Sequence, residues 1–146
     1  RAKRRPGGLP LSVAVSSLEE LEEWATLTPA RRAFIRRYLP GPVTVILPAS
    51  PHARRALAPG IVGPDGSVGL RIPDHPVARE LVRRAGATTS TSANRHGEPP
   101  TSSLADARRV FGSEVGSYLG GSPPPTGRPS RLADLRRTTP RVVERG

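Results

Sequence analysis

Lys3 and Asn94 are the only lysine and the only asparagine in a chain of 146 residues whose other cations are all arginine, and which has no glutamine, methionine or cysteine. A bias that removes these residue types almost everywhere else makes each survivor informative, although single survivors by accident explain the counts equally well. Both lie in polar clusters, Lys3-Arg4-Arg5-Pro6 and Thr91-Ser92-Ala93-Asn94. Lys3 and Arg5 are two residues apart, so an extended segment projects both from one face. A compact ammonium beside a planar guanidinium fork suits a polyphosphate whose charge shifts between phosphorus atoms. A plain basic tail is the competing reading of Lys-x-Arg alone. The Ser92 hydroxyl and Asn94 amide can bind phosphate oxygens or the edge of a base. A turn that satisfies only its own backbone competes there. Pro40-Gly41-Pro42-Val43-Thr44 is a rigid entry to a strand with Thr44 near its mouth, and a helix stop accounts for it equally.

Several familiar chemistries have no signature. There is no Gly-x-x-x-x-Gly-Lys loop, no Gly-x-Gly-x-x-Gly fingerprint, no His-Glu-x-x-His helix and no serine nucleophile elbow. His52, His75 and His96 are too scattered to nominate a metal site.

The elements that must position these clusters alternate between strand and helix. Residues 11–15 read as a strand, and the Ser17/Glu20 capping box starts a helix with Leu18, Leu21 and Trp24 at helical spacing. Thr28-Pro29 starts a second helix that turns Phe34, Ile35 and Tyr38 inward and stops at Pro40-Gly41. Strand 43–47 closes at Pro48, a short basic helix runs from Ser50-Pro51 to about Leu57, and 59–66 is a turn-rich loop. Strand 68–72 leads to a helix opened by Asp74-His75-Pro76, with Val77, Leu81 and Val82 inward and Gly86 as its cap. Residues 87–91 form the strand that delivers Ser92 and Asn94 to its carboxyl end. A short helix over 103–111, a short strand over 117–119, an irregular proline-rich stretch over 120–129 and edge strands at 132–135 and 142–143 complete the chain. The alternation predicts an α/β sheet covered by helices, with ligands at strand ends.

Composition bounds the rest. One domain spans 1–146, and with only five aromatic residues its core is built from Leu, Val, Ile and Ala. The net charge of +11, mostly guanidinium, points to polyanionic partners. Its spread over pairs such as Arg36-Arg37 and Arg83-Arg84 predicts weak, salt-sensitive, sequence-independent RNA binding. No apolar run approaches the roughly 20 residues of a membrane helix, so no membrane role is expected and a cytoplasmic location is the default. The chain opens on Arg1-Ala2-Lys3 without an initiator methionine, and a preceding segment is expected to have been removed.

In order, Lys3-x-Arg5-Pro6, Leu9-Pro10-Leu11, Pro40-Gly41-Pro42-Val43-Thr44, Val68-Gly69-Leu70-Arg71-Ile72-Pro73, Thr91-Ser92-Ala93-Asn94, Gly97-Glu98-Pro99 and Gly127-Arg128-Pro129-Ser130 resemble the YrdC-like family. Each motif is weak and the ordered series is specific. The resemblance implies an open, twisted, mixed α/β sheet flanked by helices, with a concave basic cavity. It also implies threonylcarbamoyl-AMP synthase activity, which condenses L-threonine, bicarbonate and ATP and releases pyrophosphate. The product would serve a transfer-RNA threonylcarbamoyltransferase as downstream acceptor. The family's Lys, Arg, Ser and Asn map onto Lys3, Arg5, Ser92 and Asn94 as the ATP-binding set, with Lys3 and Arg5 catalytic together with Mg²⁺. Thr44 and Ser130 would touch nucleotide or amino acid, and Arg71 would support the substrate pocket.

The sequence also departs from the family. The Pro-Thr-x-Thr and Tyr-Gly-Leu-Gly stretches that precede Lys-x-Arg are absent, so the domain reads as N-terminally incomplete. His96-Gly97 stands for the usual Ser-Gly, Ser130-Arg131 for Ser-Thr, and Glu144-Arg145 for the usual terminal Arg. A diverged carbamoyl-transfer paralogue and a non-catalytic RNA-binding module are the alternatives.

Overall fold

A computed structural model describes residues 2–4, 11–122, 130–137 and 141–143, the last three in backbone only. Its strands are β1 (Ser12–Ala14), β2 (Val43–Pro48), β3 (Ser67–Arg71), β4 (Thr88–Ser90), β5 (Arg131–Asp134) and β6 (Arg141–Val143). Its helices are α1 (Leu18–Trp24), α2 (Pro29–Tyr38), α3 (Pro51–Ala56), α4 (Pro76–Ala85) and α5 (Leu104–Phe111), the last followed by a 3₁₀ turn, Gly112–Glu114. The strands form one mixed sheet in the order β4-β1-β3-β2-β5-β6. β1 runs parallel to β3 and β2 parallel to β5, while β4 against β1, β3 against β2 and β6 against β5 are antiparallel.

Helix starts follow from side chains that accept the otherwise orphaned first amides. Ser17 accepts from Glu20 N, Thr28 from Arg31 N, Ser50 from Ala53 N and Ser103 from Asp106 N. The Glu20 carboxylate reaches back to Ser16 N at 2.7 Å, closing the box one residue earlier than the sequence pattern implies. α4 ends where Gly86 takes φ 78°, a conformation that costs a side-chain-bearing residue and costs glycine little. At Gly41 a Cβ would collide with the Tyr38 carbonyl oxygen, so the chain turns there into β2 only because that position is bare.

Residues in register share a face of the sheet, and neighbours along a strand alternate. One face carries Val13, Val45, Leu47, Val68, Leu70 and Ala133, each at most 1% exposed. Leu21 of α1, Ile35 of α2 and Ala53 of α3 join them in a single apolar cluster. The opposite face carries Ser12, Thr44, Gly69, Arg71, Thr88 and Ser90 by register, and a Cβ at Gly69 would lie 3.5 Å from Ser12 Cβ and 3.7 Å from Thr44 Cγ2. Helical packing thus covers one side, and on the other these polar groups stand among Ala14, Ile46 and Leu132.

Four local expectations are corrected. Tyr38 and Leu81 are 37% and 45% exposed rather than inward. Tyr38 instead stacks on Phe34 at 4.5 Å, and the burial of α4 falls to Val82. Residues 117–119 form no strand, because Tyr118 donates its hydroxyl to Gly112 O and Leu119 is 61% exposed and pairs with no strand among the described residues. β5 is interior, since β6 lies outside it. The proline-rich expectation at 123–129 falls outside the described residues.

Candidate functional site

The two rare side chains meet. Lys3 Nζ donates to the Ser92 carbonyl oxygen, to Asn94 O at 2.7 Å and to Asn94 Oδ1 at 3.1 Å, across 91 residues of sequence. These three acceptors are neutral oxygens that fix the direction of the ammonium. Asn94 Oδ1 also accepts from Ser92 Oγ at 2.6 Å, and Asn94 Nδ2 donates to Glu98 O. The carboxamide therefore uses both ends to fix the loop, and Thr101 N closes it further on Ala93 O at 2.9 Å.

Local structure explains the placement. β4 is an edge strand antiparallel to β1, and Ser12 Oγ bonds Ser90 O at 2.9 Å, so the chain leaves β4 beside the start of β1. Residues 2 and 3 form a turn that lies over the same loop, held by His96 N on Lys3 O at 2.8 Å. Arg95, next to Asn94, places Nη1 on Ala2 O at 2.9 Å and Nη2 on Val110 O at 3.0 Å. It also pairs with Glu114, whose carboxyl the Arg95 guanidinium holds below the usual glutamate range.

A second polar pair lies on the same face. Thr44 is 1% exposed, and its Oγ1 shares a hydrogen bond of 2.8 Å with Ser130 Oγ. The Thr44 hydroxyl is therefore satisfied although buried, as burial of a polar group demands. Arg131 N on Pro42 O at 3.0 Å and Gly41 N on Ile72 O at 3.1 Å fix this corner. Arg71 is half-buried on the same face, in register with Ala14 of β1.

Of the residues marked in the sequence, Lys3, Ser92 and Asn94 come together at one corner and Thr44 and Ser130 at another. Arg71 stands on the sheet face they border. Arg5 lies outside the described residues. From β4 to β5 are four inter-strand steps, roughly 19 Å at about 4.8 Å each. Sequence reasoning missed Ser12, Ser90 and Arg95. The alternation of Ser12 and Ala14 with Val13 and Val15 carried the signal for Ser12, whereas nothing local singled out Arg95 among so many arginines.

Two hollows lie elsewhere. One of about 340 Å³ is lined by Ser16, Asp74, His75 and Arg79 among others. The other, of about 400 Å³, lies between Phe34, Arg31 and Arg136. Neither is lined by the residues of the two polar corners. Among the described residues no three His, Asp or Glu side chains gather as metal ligands, and no helix is long and apolar enough to cross a membrane.

A mixed sheet with helices against it, bordered by a lysine-bearing corner and a hydroxyl pair, makes this an α/β domain. The chain belongs to the Sua5/YciO/YrdC family, whose model, described as telomere recombination, matches residues 1–146. The threonylcarbamoyl-AMP synthase of Chromohalobacter salexigens is 37% identical over 136 residues, covering 92% of this chain and 71% of that relative. The threonylcarbamoyl-AMP synthase of Alkalilimnicola ehrlichii is 36% identical over 135 residues, covering 92% of this chain and 68% of that relative. The crystal structure of P. abyssi Sua5 complexed with L-threonine superposes with a TM-score of 0.85 at 29% identity. It matches 97% of this chain, which spans only 41% of the Sua5 chain. The mixed sheet with flanking helices expected from the sequence is the fold shared with P. abyssi Sua5.

Proposed function

We propose that this chain synthesises threonylcarbamoyl-adenylate from L-threonine, bicarbonate and ATP, with release of pyrophosphate. The observation that carries the reading is the contact of Lys3 Nζ with Asn94 Oδ1 and the Ser92 carbonyl at the margin of the polar sheet face. The names of the curated relatives and the threonine bound to Sua5 support it.

The threonine amine adds to bicarbonate with loss of water, giving N-carboxy-threonine. One oxygen of that carbamate attacks the α-phosphorus of ATP, and the bond from the α-phosphorus to the bridging oxygen breaks as pyrophosphate leaves. Both reactants are anions, so the protein's task is to hold them in line and to neutralise the leaving group. Lys3, with Arg5 beside it in sequence, takes the leaving phosphates, and Ser92 and Asn94 hold the nucleotide. Thr44 and Ser130 contact the nucleotide or the amino acid three to four strands away, a span that accommodates both ligands side by side. Arg71 on the intervening face supports the threonylcarbamoyl half.

The donors at both corners are hydroxyls, amides and carbonyls rather than grouped carboxylates, which fits Mg²⁺ carried on the phosphates of ATP. Bound there, the ion supplies further charge neutralisation. The adenylate passes to a transfer-RNA threonylcarbamoyltransferase, and the +11 charge gives a weak, salt-sensitive affinity for the RNA itself.

The test is pyrophosphate release measured with each substrate omitted in turn. The proposal requires threonine, bicarbonate and ATP together; release independent of threonine would contradict it.

A further inference from the structure

We infer that Arg95 is a positioning residue that sets the Lys3 ammonium against Asn94 by gripping the peptide in front of it. The inference rests on the role proposed above for Lys3.

Four contacts converge on the Arg95 side chain, which is 17% exposed. Nη1 donates to Ala2 O at 2.9 Å, Nη2 donates to Val110 O at 3.0 Å and pairs with Glu114 Oε1 at 2.5 Å, and the guanidinium carbon lies 5.8 Å from the centroid of the Phe111 ring. Phe111 is itself 7% exposed and Val110 belongs to the last turn of α5, so Arg95 is anchored on a packed helix end. From that anchor the free edge of the fork reaches the tail one residue before Lys3.

The next residue completes the grip, because His96 N donates to Lys3 O at 2.8 Å. The carbonyls on either side of the Lys3 α-carbon are thus both held by consecutive residues, Arg95 and His96, which directly follow Asn94. Asn94 receives the Lys3 amine and Arg95 fixes the backbone that carries it, so one short loop determines both ends of the lysine. The geometry needs a planar fork, because Ala2 and Val110 are engaged by different nitrogens of the same group. A lysine in its place offers a single point charge and cannot keep both.

The experiment compares Arg95→Ala, Arg95→Lys and the surface control Arg83→Ala in the full protein. It reads kcat and KM for ATP by pyrophosphate release, melting temperature, and hydrogen exchange at the His96 amide. For Arg95→Ala the expected result is a fall in kcat of about 100-fold, the scale of a misplacement near 1 Å, with the larger share in kcat rather than KM. The His96 amide should exchange faster, and added ethylguanidinium should restore part of kcat. Arg95→Lys, which keeps the charge and the aliphatic stem, should fold and stay slow, and Arg83→Ala should match the parent.

Parent-like kcat in Arg95→Ala or Arg95→Lys would overturn the inference. So would a slow Arg95→Ala protein whose His96 amide stays protected and which guanidinium does not rescue. If the parent itself releases no pyrophosphate, the activity proposal fails separately, and the exchange of His96 alone then decides whether Arg95 holds the tail.

Discussion

The two faces of the sheet obey opposite rules although they are made from the same strands. On the helix-covered face, Val13, Val45, Leu47, Val68 and Leu70 are exposed by 1% or less and interlock with α1 to α3. On the other, Ser12, Thr44, Gly69, Arg71 and Ser90 alternate with them, the Ser12 hydroxyl donating to the Ser90 carbonyl on the neighbouring strand and the Thr44 hydroxyl sharing a hydrogen bond with Ser130 at the margin. The first face supplies stability by removing apolar area from water. The second keeps polar groups at the fixed spacing of the strands. A rigid floor of aliphatic side chains is what allows a polar pavement to hold its geometry.

This division can be broken or sharpened by substitution. The largest effect on stability is expected from Leu70→Ala, which empties a fully buried position of the core face and should cost about 2 to 5 kcal/mol by urea unfolding. ATP affinity of the protein that remains folded should stay close to the parent's. Thr44→Val on the opposite face keeps the shape but orphans the Ser130 hydroxyl, and should cost about 1 kcal/mol of stability. Its effect on KM for threonine or ATP should exceed what that loss explains.

Gly69→Ala is a finer probe. The added methyl meets only ordinary contacts at 3.5 Å from Ser12 and 3.7 Å from Thr44, so stability should change by less than about 0.5 kcal/mol. The methyl nevertheless raises the floor of the polar face, and isothermal titration should show weaker nucleotide or threonine binding. Equal affinity in Gly69→Ala would mean that ligands do not approach that floor.

The smallest effect concerns neither face. Hydrogen bonds from Arg83 and Arg84 hold the exposed Glu80 carboxyl at about 2, below its ordinary 4.5. A lowered folded-state value means that these pairs add stability above about pH 4.5 and lose it as pH falls through about 2. Being open to solvent, these pairs should move the acid unfolding midpoint only slightly, and Glu80→Gln should remove even that shift.

The sequence made much of this legible, and the reasons are local. Ser17, Thr28, Ser50 and Ser103 announce helix starts because a side-chain oxygen three residues before an amide is a short-range event. Aliphatic runs marked the strands for similar reasons. Leu81 misled because helical spacing gives a stripe, and how much of the stripe is covered depends on the sheet beside it. The meeting of Lys3 with Asn94 spans 91 residues, and no local pattern encodes it. Only the ordered series of motifs, read as a family resemblance, pointed there. Arg95 stayed hidden because its type is the commonest cation in the chain and only its contacts distinguish it.

The central claim, that the Lys3–Asn94 corner receives the nucleotide, has a direct probe in the chain's unusual composition. Asn94 is the only carboxamide side chain, so ¹⁵N labelling gives a single side-chain NH₂ pair in a two-dimensional proton–nitrogen spectrum of this chain. Titration with a non-hydrolysable ATP analogue and Mg²⁺ should shift that pair in the parent and leave it still in Lys3→Ala. An Asn94 signal that does not move in the parent at saturating nucleotide would contradict the account.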